Sequence, residues 1–124
     1  MFEADLLNYL KSDQVISELL GNRIYPGVLP EKCTKPAVAY SEITGMGHHD
    51  IDVAFPHFQF SCFSPRLMDA KKVRAAIENA LKRFKGTMGK TRVIQGVVAG
   101  KHELYEEDTK LHNVIIVMKI IYRE

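Results

Sequence analysis

The sequence predicts an α+β fold in two layers, a mostly antiparallel four-stranded sheet with helices packed on one face. Three observations lead there. Two short amphipathic stretches open the chain, alternating strand patterns follow in consecutive pairs, and one long amphipathic stretch separates the pairs. Consecutive strands are normally antiparallel, and helices set between hairpins normally cover one face of the resulting sheet. At 124 residues, with 46% hydrophobic and 26% charged side chains and no linker, repeat or biased tract, residues 1–124 are expected to form one domain with one core.

Each element has its own signal. Phe2, Leu6, Leu7 and Leu10 recur at helical spacing over residues 2 to 11, and Ser12-Asp13 offers an N-cap for a second short helix carrying Val15, Ile16, Leu19 and Leu20 up to Gly21. Asn22 to Pro26 reads as an extended exit, and Pro26, Gly27, Pro30 and Pro36 make the next stretch a rigid connector. From Ala37 to Thr44, Val38 and Tyr40 alternate with Ala39, Ser41 and Ile43; from Ala54 to Phe63, Phe58, Phe60 and Cys62 alternate with His57, Gln59 and Ser61. Together these predict a long hairpin, with Pro56 placing the start of its second strand at an edge or beyond the paired region. Ser64-Pro65 then starts the clearest helix, 65–84, on an apolar stripe of Leu67, Ala70, Val73, Ala76 or Ile77, Ala80, Leu81 and Phe84, and Gly86 and Gly89 are expected to end it. Arg92 to Ala99 reads as a strand weakened by Gly96, and Lys101 to Lys110 as a charged connection into the last strand.

That last strand, Leu111 to Tyr122, is apolar on both faces. Val114, Ile116, Met118, Ile120 and Tyr122 point one way, and Leu111, Ile115, Val117 and Ile121 the other. The helices are too few to cover both faces, so the second one is expected to be covered by self-assembly.

Charge is segregated more than it is unbalanced. The formal net charge is +2, yet residues 66 to 92 hold nine basic side chains against Asp69 and Glu78. Compensating acids cluster at Glu103, Glu106, Glu107 and Asp108. Charge runs are ordinarily solvated helix faces; this one equally suits ordering of subunits or attraction of a polyanion. A small nucleic-acid-binding adaptor using the basic helix 66–85 is therefore the alternative functional reading. Its binding would be unspecific and salt-sensitive, since Phe84 is the only aromatic in that helix and belongs to the apolar stripe.

Chemistry has fewer footholds. His48-His49-Asp50 with Asp52 is the densest group of metal-ligand types, but adjacent strand residues point apart and no third and fourth ligand is fixed nearby, so a polar hairpin tip is expected and no metal. Cys33 and Cys62 fit neither a CxxC nor a metal spacing and read as free thiols. No nucleophile elbow, P-loop or dinucleotide fingerprint occurs, and no cofactor or enzymatic activity is expected. Met-Phe-Glu-Ala-Asp at the start lacks a basic, cleavable leader, and no apolar run approaches the roughly 20 residues that span a bilayer. Folding in the cytoplasm without a membrane partner is expected.

From Leu6 to Tyr40 the chain carries Leu7, Leu10, Asp13, Ile16 and Leu19, then Gly21-Asn22-Arg23-Ile24-Tyr25-Pro26, then Pro30, Pro36, Val38 and Tyr40, with Tyr105-Glu106-Glu107-Asp108-Thr109 before the last strand. In these residues it resembles the tail completion or tail terminator (head-tail joining) proteins of long-tailed bacteriophages and prophages. The resemblance implies a structural virion protein, assembled in the host cytoplasm. It would form a hexameric ring at the end of the tail tube, stop tube growth and join tail to head. Its partners would be itself, the tail tube protein and the head-tail connector protein, with DNA passing through the ring without sequence-specific binding. On this reading Ile115, Val117 and Ile121 lie at the subunit interface, with Glu106 and Asp108 facing Lys71 and Arg74 of a neighbour across a heterologous contact. The glycine-flanked segment Met46, Gly47, His48, His49 and Asp50 is expected to be the partner-docking loop.

Overall fold

Hydrophobic spacing and two caps set the start of the chain. A computed structural model describes residues 2–30, 34–44, 53–82, 84–89 and 91–123. Helix α1, Phe2–Ser12, buries Phe2, Leu6 and Leu10, one side chain per turn, with Glu3 and Asp5 near its N-terminus and Lys11 near its C-terminus, as the helix dipole favours. The Asp13 carboxylate accepts from the Ile16 amide at 3.1 Å and starts α2, Gln14–Leu20. Gly21 ends that helix at φ +56° while donating to the Ser17 carbonyl at 2.8 Å.

The strands are β1 (Ile24–Pro26), β2 (Ala37–Thr44), β3 (Val53–Ala54), β4 (His57–Ser64), β5 (Gly86–Met88), β6 (Thr91–Glu106) and β7 (Leu111–Arg123), and α3 (Leu67–Lys82) lies between β4 and β5. Among the described residues the sheet runs β1-β2-β4-β7-β6-β5, and β3 pairs with β7 beyond the end of β4. Pro56 separates β3 from β4. It has no amide hydrogen to donate, yet its carbonyl still accepts from the Ile120 amide at 3.0 Å, so pairing along β7 resumes past it.

All three helices supply core to one face. Phe2, Leu6, Leu10, Ile16 and Leu20 join Val73, Ile77 and Leu81 of α3 over Val38, Tyr40, Phe58, Phe60, Cys62, Val114, Ile116, Met118 and Ile120. Phe2 stacks on Tyr122 with centroids 4.1 Å apart and meets Phe58 edge-on at 5.9 Å, fixing α1 to the sheet. The Tyr9 hydroxyl donates to the Ala80 carbonyl at 2.8 Å and its ring meets Phe84 edge-on, fixing α1 to the end of α3.

This architecture corrects the expectation of a four-stranded, mostly antiparallel two-layer sheet. The sheet is mixed, has six strands on its main path and curls into a half-barrel. Its mixed character comes from β1, which pairs parallel to β2 with Ile24 opposite Val38 and Tyr25 opposite Ala39. Three residues ending in proline are too few to show an alternation, so the sequence reads there only as an exit. The Gly86–Met88 stretch pairs antiparallel with Thr91–Val93 as β5.

The charged stretch after Ala99 is no connection: β6 continues to Glu106. Lys101 and Glu103 face α3, where Lys101 pairs with Glu78 and Glu103 pairs with Lys71 at 3.0 Å. Both side chains stay exposed, so the strand carries these charges in contact with water. Register shifts at 93/95 and 98/100 put two bulges into β6, and bulges increase local twist and bend the strand that carries them.

Candidate assembly surface

Opposite the helices, alternation places Ala37, Ala39, Ser61, Phe63, Leu111, Asn113, Ile115, Val117 and Ile121 on one second face. The face is unevenly covered. Within a single chain Leu111 and Ile115 are each 6% exposed, while Val117 and Ile121 are half-buried. At the Leu111 end the 27–30 segment and the β6–β7 turn stand over the sheet and leave a groove of about 570 Å³. Val28, Leu29, Phe63 and Leu111 give it apolar walls, and Glu106 and Asp108 give it an acidic lip. The turn is held by the Lys110 amide donating to the Glu106 carbonyl at 2.8 Å, with Lys110 at φ +58°, and by the Thr109 hydroxyl donating to the Glu106 carboxylate at 3.1 Å.

Next to the groove, on the same face of β7, Asn113 is 7% exposed and its Oδ1 has no hydrogen-bond partner among the described residues. A buried carbonyl oxygen left unpaired costs about 1–3 kcal/mol. At the other end of β7, Arg92, Ile94 and Arg123 enclose a small hollow, with Arg92 and Arg123 opposite each other in the strand register. Ile94 is 42% exposed there.

The residues expected to form an interface are thus divided. Ile115, Val117 and Ile121 share one row of β7, and Glu106 and Asp108 lie on the same side at the groove lip. Lys71 and Arg74 sit on α3, across the sheet, and Lys71 already pairs with Glu103 of its own chain. Met46, Gly47, His48, His49 and Asp50, like Asp52 and Cys33, lie outside the described residues. Sequence reading overlooked Asn113 and the Arg92-Ile94-Arg123 end. The alternation that marked Leu111 and Ile115 also contained Asn113, but a polar side chain in an apolar row carries no sign of whether its partner is present.

The buried thiol of Cys62 is pushed up to about 12 by desolvation, with Arg74 pulling weakly the other way, so the thiol is un-ionised at neutral pH. Among the described residues no three His, Cys, Asp or Glu side chains are grouped to hold a metal ion. No described helix is long and apolar enough to cross a membrane.

A helix-backed curled sheet whose second face carries an acid-lipped groove at one end and an arginine-lined hollow at the other is the build of a structural, assembly-type protein. Residues 4–123 match the family of Tail completion protein gp17, and the chain belongs to that family. Its role is a structural one in tail assembly. Among solved structures, a chain described as "Virion of native gene transfer agent (GTA) particle" is similar, with a TM-score of 0.76 and 17% identity over 98% of this chain and 94% of that one. At that identity the likeness is one of fold. None of the curated proteins matches.

Proposed function

We propose that the chain acts in the virion as a ring, hexameric in form, that caps the tail tube, ends its growth and joins tail to head. The observation that carries this is the second face of β7, where Val117 and Ile121 remain half-buried in one chain although β4 and β6 are paired on either side of the strand. Removing apolar area from water is worth about 25 cal/mol per Å², so a subunit seated on that row gains stability with each side chain it covers. Family membership supports the tail as the place of action, and the fold likeness to a chain of a gene transfer agent virion supports a place in a particle. The tail tube protein and the head-tail connector are the partners this reading requires, and DNA passes through without sequence readout.

Electron microscopy of particles assembled without the chain tests the reading. Overlong tails lacking heads are expected, and adding the chain back should restore tails of uniform length joined to heads. Tails of normal length and normal joining without it would sink the proposal.

A further inference from the structure

We propose that the acid-lipped groove at the Leu111 end of β7 receives the Arg92-Ile94-Arg123 end of a second copy of this chain. The pairing rests on the ring reading above and specifies which surface of one subunit meets which surface of the next. The two surfaces are complementary in charge. Among the described residues, the ionisable side chains lining the groove are the carboxylates Glu106 and Asp108, whereas the hollow at the other end is lined by two guanidinium groups and an exposed isoleucine. Carboxylates only accept, and a guanidinium only donates, in a fork that suits such acceptors.

Apolar chemistry matches as well. Val28 is 80% exposed at the groove wall, and Leu29, Phe63 and Leu111 complete a slot in which a side chain of the size of Ile94 loses its contact with water. Position makes the contact head-to-tail. Leu111 and Arg123 terminate the same strand, about 40 Å apart if β7 is fully extended, so no chain can fill its own groove with its own arginine end. Contacts between two different patches are heterologous, and they close into a ring when the rotation between subunits permits.

Charge reversal tests the pairing with the full-length chain in sedimentation velocity from micromolar to millimolar concentration. The groove variant carries Glu106→Lys and Asp108→Lys, and the end variant carries Arg92→Glu and Arg123→Glu; a milder pair, Asp108→Asn and Arg123→Gln, serves if a reversal lowers the unfolding midpoint. Wild type should self-associate, each variant alone should associate about tenfold or more weakly, and an equimolar mixture of the two reversed variants should recover assembly, because every groove then meets an end of opposite charge. Variants that associate like wild type, a mixture that stays monomeric, or a wild type that is monomeric throughout would each overturn the pairing. The ring reading fails separately, on tails that terminate normally without the chain.

Discussion

The carbonyl oxygen of Leu81, in the last turn of α3, lies so close over Gly96 of β6 that a Cβ built on the glycine would stand 2.5 Å from it. The helix and the strand approach backbone to backbone. A glycine that reads in sequence as a weak point of the strand is what lets α3 seat on β6, and Gly96 is buried as a result.

Gly96→Ala should therefore cost about 1–3 kcal/mol, because the backbone atom it meets cannot rotate away as a side chain would. Gly100 on the same strand meets nothing within 4 Å, so Gly100→Ala should change stability by no more than about 0.5 kcal/mol. Urea unfolding of the two variants checks both, and equal midpoints would refute the close approach.

Arg23 ties the second helix to the parallel edge of the sheet. Its Nε donates to the Pro36 carbonyl at 2.7 Å and its Nη2 to the Leu19 carbonyl at 3.1 Å, while Ile24 beside it is 5% exposed. Ile24→Ala should lower stability by about 2–4 kcal/mol. Arg23→Lys should lower it too, by about 1 kcal/mol, since a single ammonium does not reproduce the planar fork. Thermal unfolding of both variants is the measurement, and an unchanged midpoint for Ile24→Ala would remove the anchor.

Val117→Asp should yield a folded monomer that no longer forms rings, as read by light scattering and electron microscopy. Half-burial in one chain leaves the carboxylate access to water in the monomer, whereas a neighbour seated on the row would bury it unpaired. Loss of soluble monomer would instead assign Val117 to the subunit core.

Alkaline pH should destabilise the fold through Cys62. Its folded pKa of about 12 lies above the ordinary thiol value of 9.0, so the contribution is fully present below pH 9 and is lost as pH rises toward 12, the unfolded chain releasing its proton first. Between pH 8 and pH 10 stability should fall by about 1 kcal/mol from this group alone. Tyr9 and Tyr40, raised by burial and by nearby Asp13 and Glu3, extend the decline above pH 10. In Cys62→Ala the fall between pH 8 and 10 should flatten, although its starting stability is lower; an unaltered slope would contradict the linkage.

Local chemistry made a good part of the chain legible. The spacing of Phe2, Leu6 and Leu10, the Asp13 cap and the Gly21 stop mark α1 and α2, because caps and one-turn repeats act over a few residues. The alternation through Val38 and Tyr40, Phe58 to Cys62 and Val114 to Tyr122 marks the buried rows of β2, β4 and β7 for the same reason. Family membership, too, was readable in the Arg23-Ile24-Tyr25-Pro26 run and its surroundings.

What depends on distant partners was not legible. Whether Ile24–Pro26 joins a sheet, and in which direction, is decided by the hydrogen bonds β2 offers to it across the 27–36 connection. Whether Lys101 and Glu103 belong to a strand or a connection is decided by the ladder β7 offers them, with Ile116 opposite Lys101 and Val114 opposite Glu103. The groove exists only because the 27–30 segment and the turn at Glu106 to Thr109 meet over Phe63 and Leu111, and periodicity carries no information about such a meeting. By itself the sequence determined the buried rows, the caps and the family, all of them properties of neighbouring residues. Tertiary structure alone decided the sheet's order, its curl and the shape of its second face, because long-range pairing and side-chain packing select among arrangements that local preference leaves nearly equal in energy.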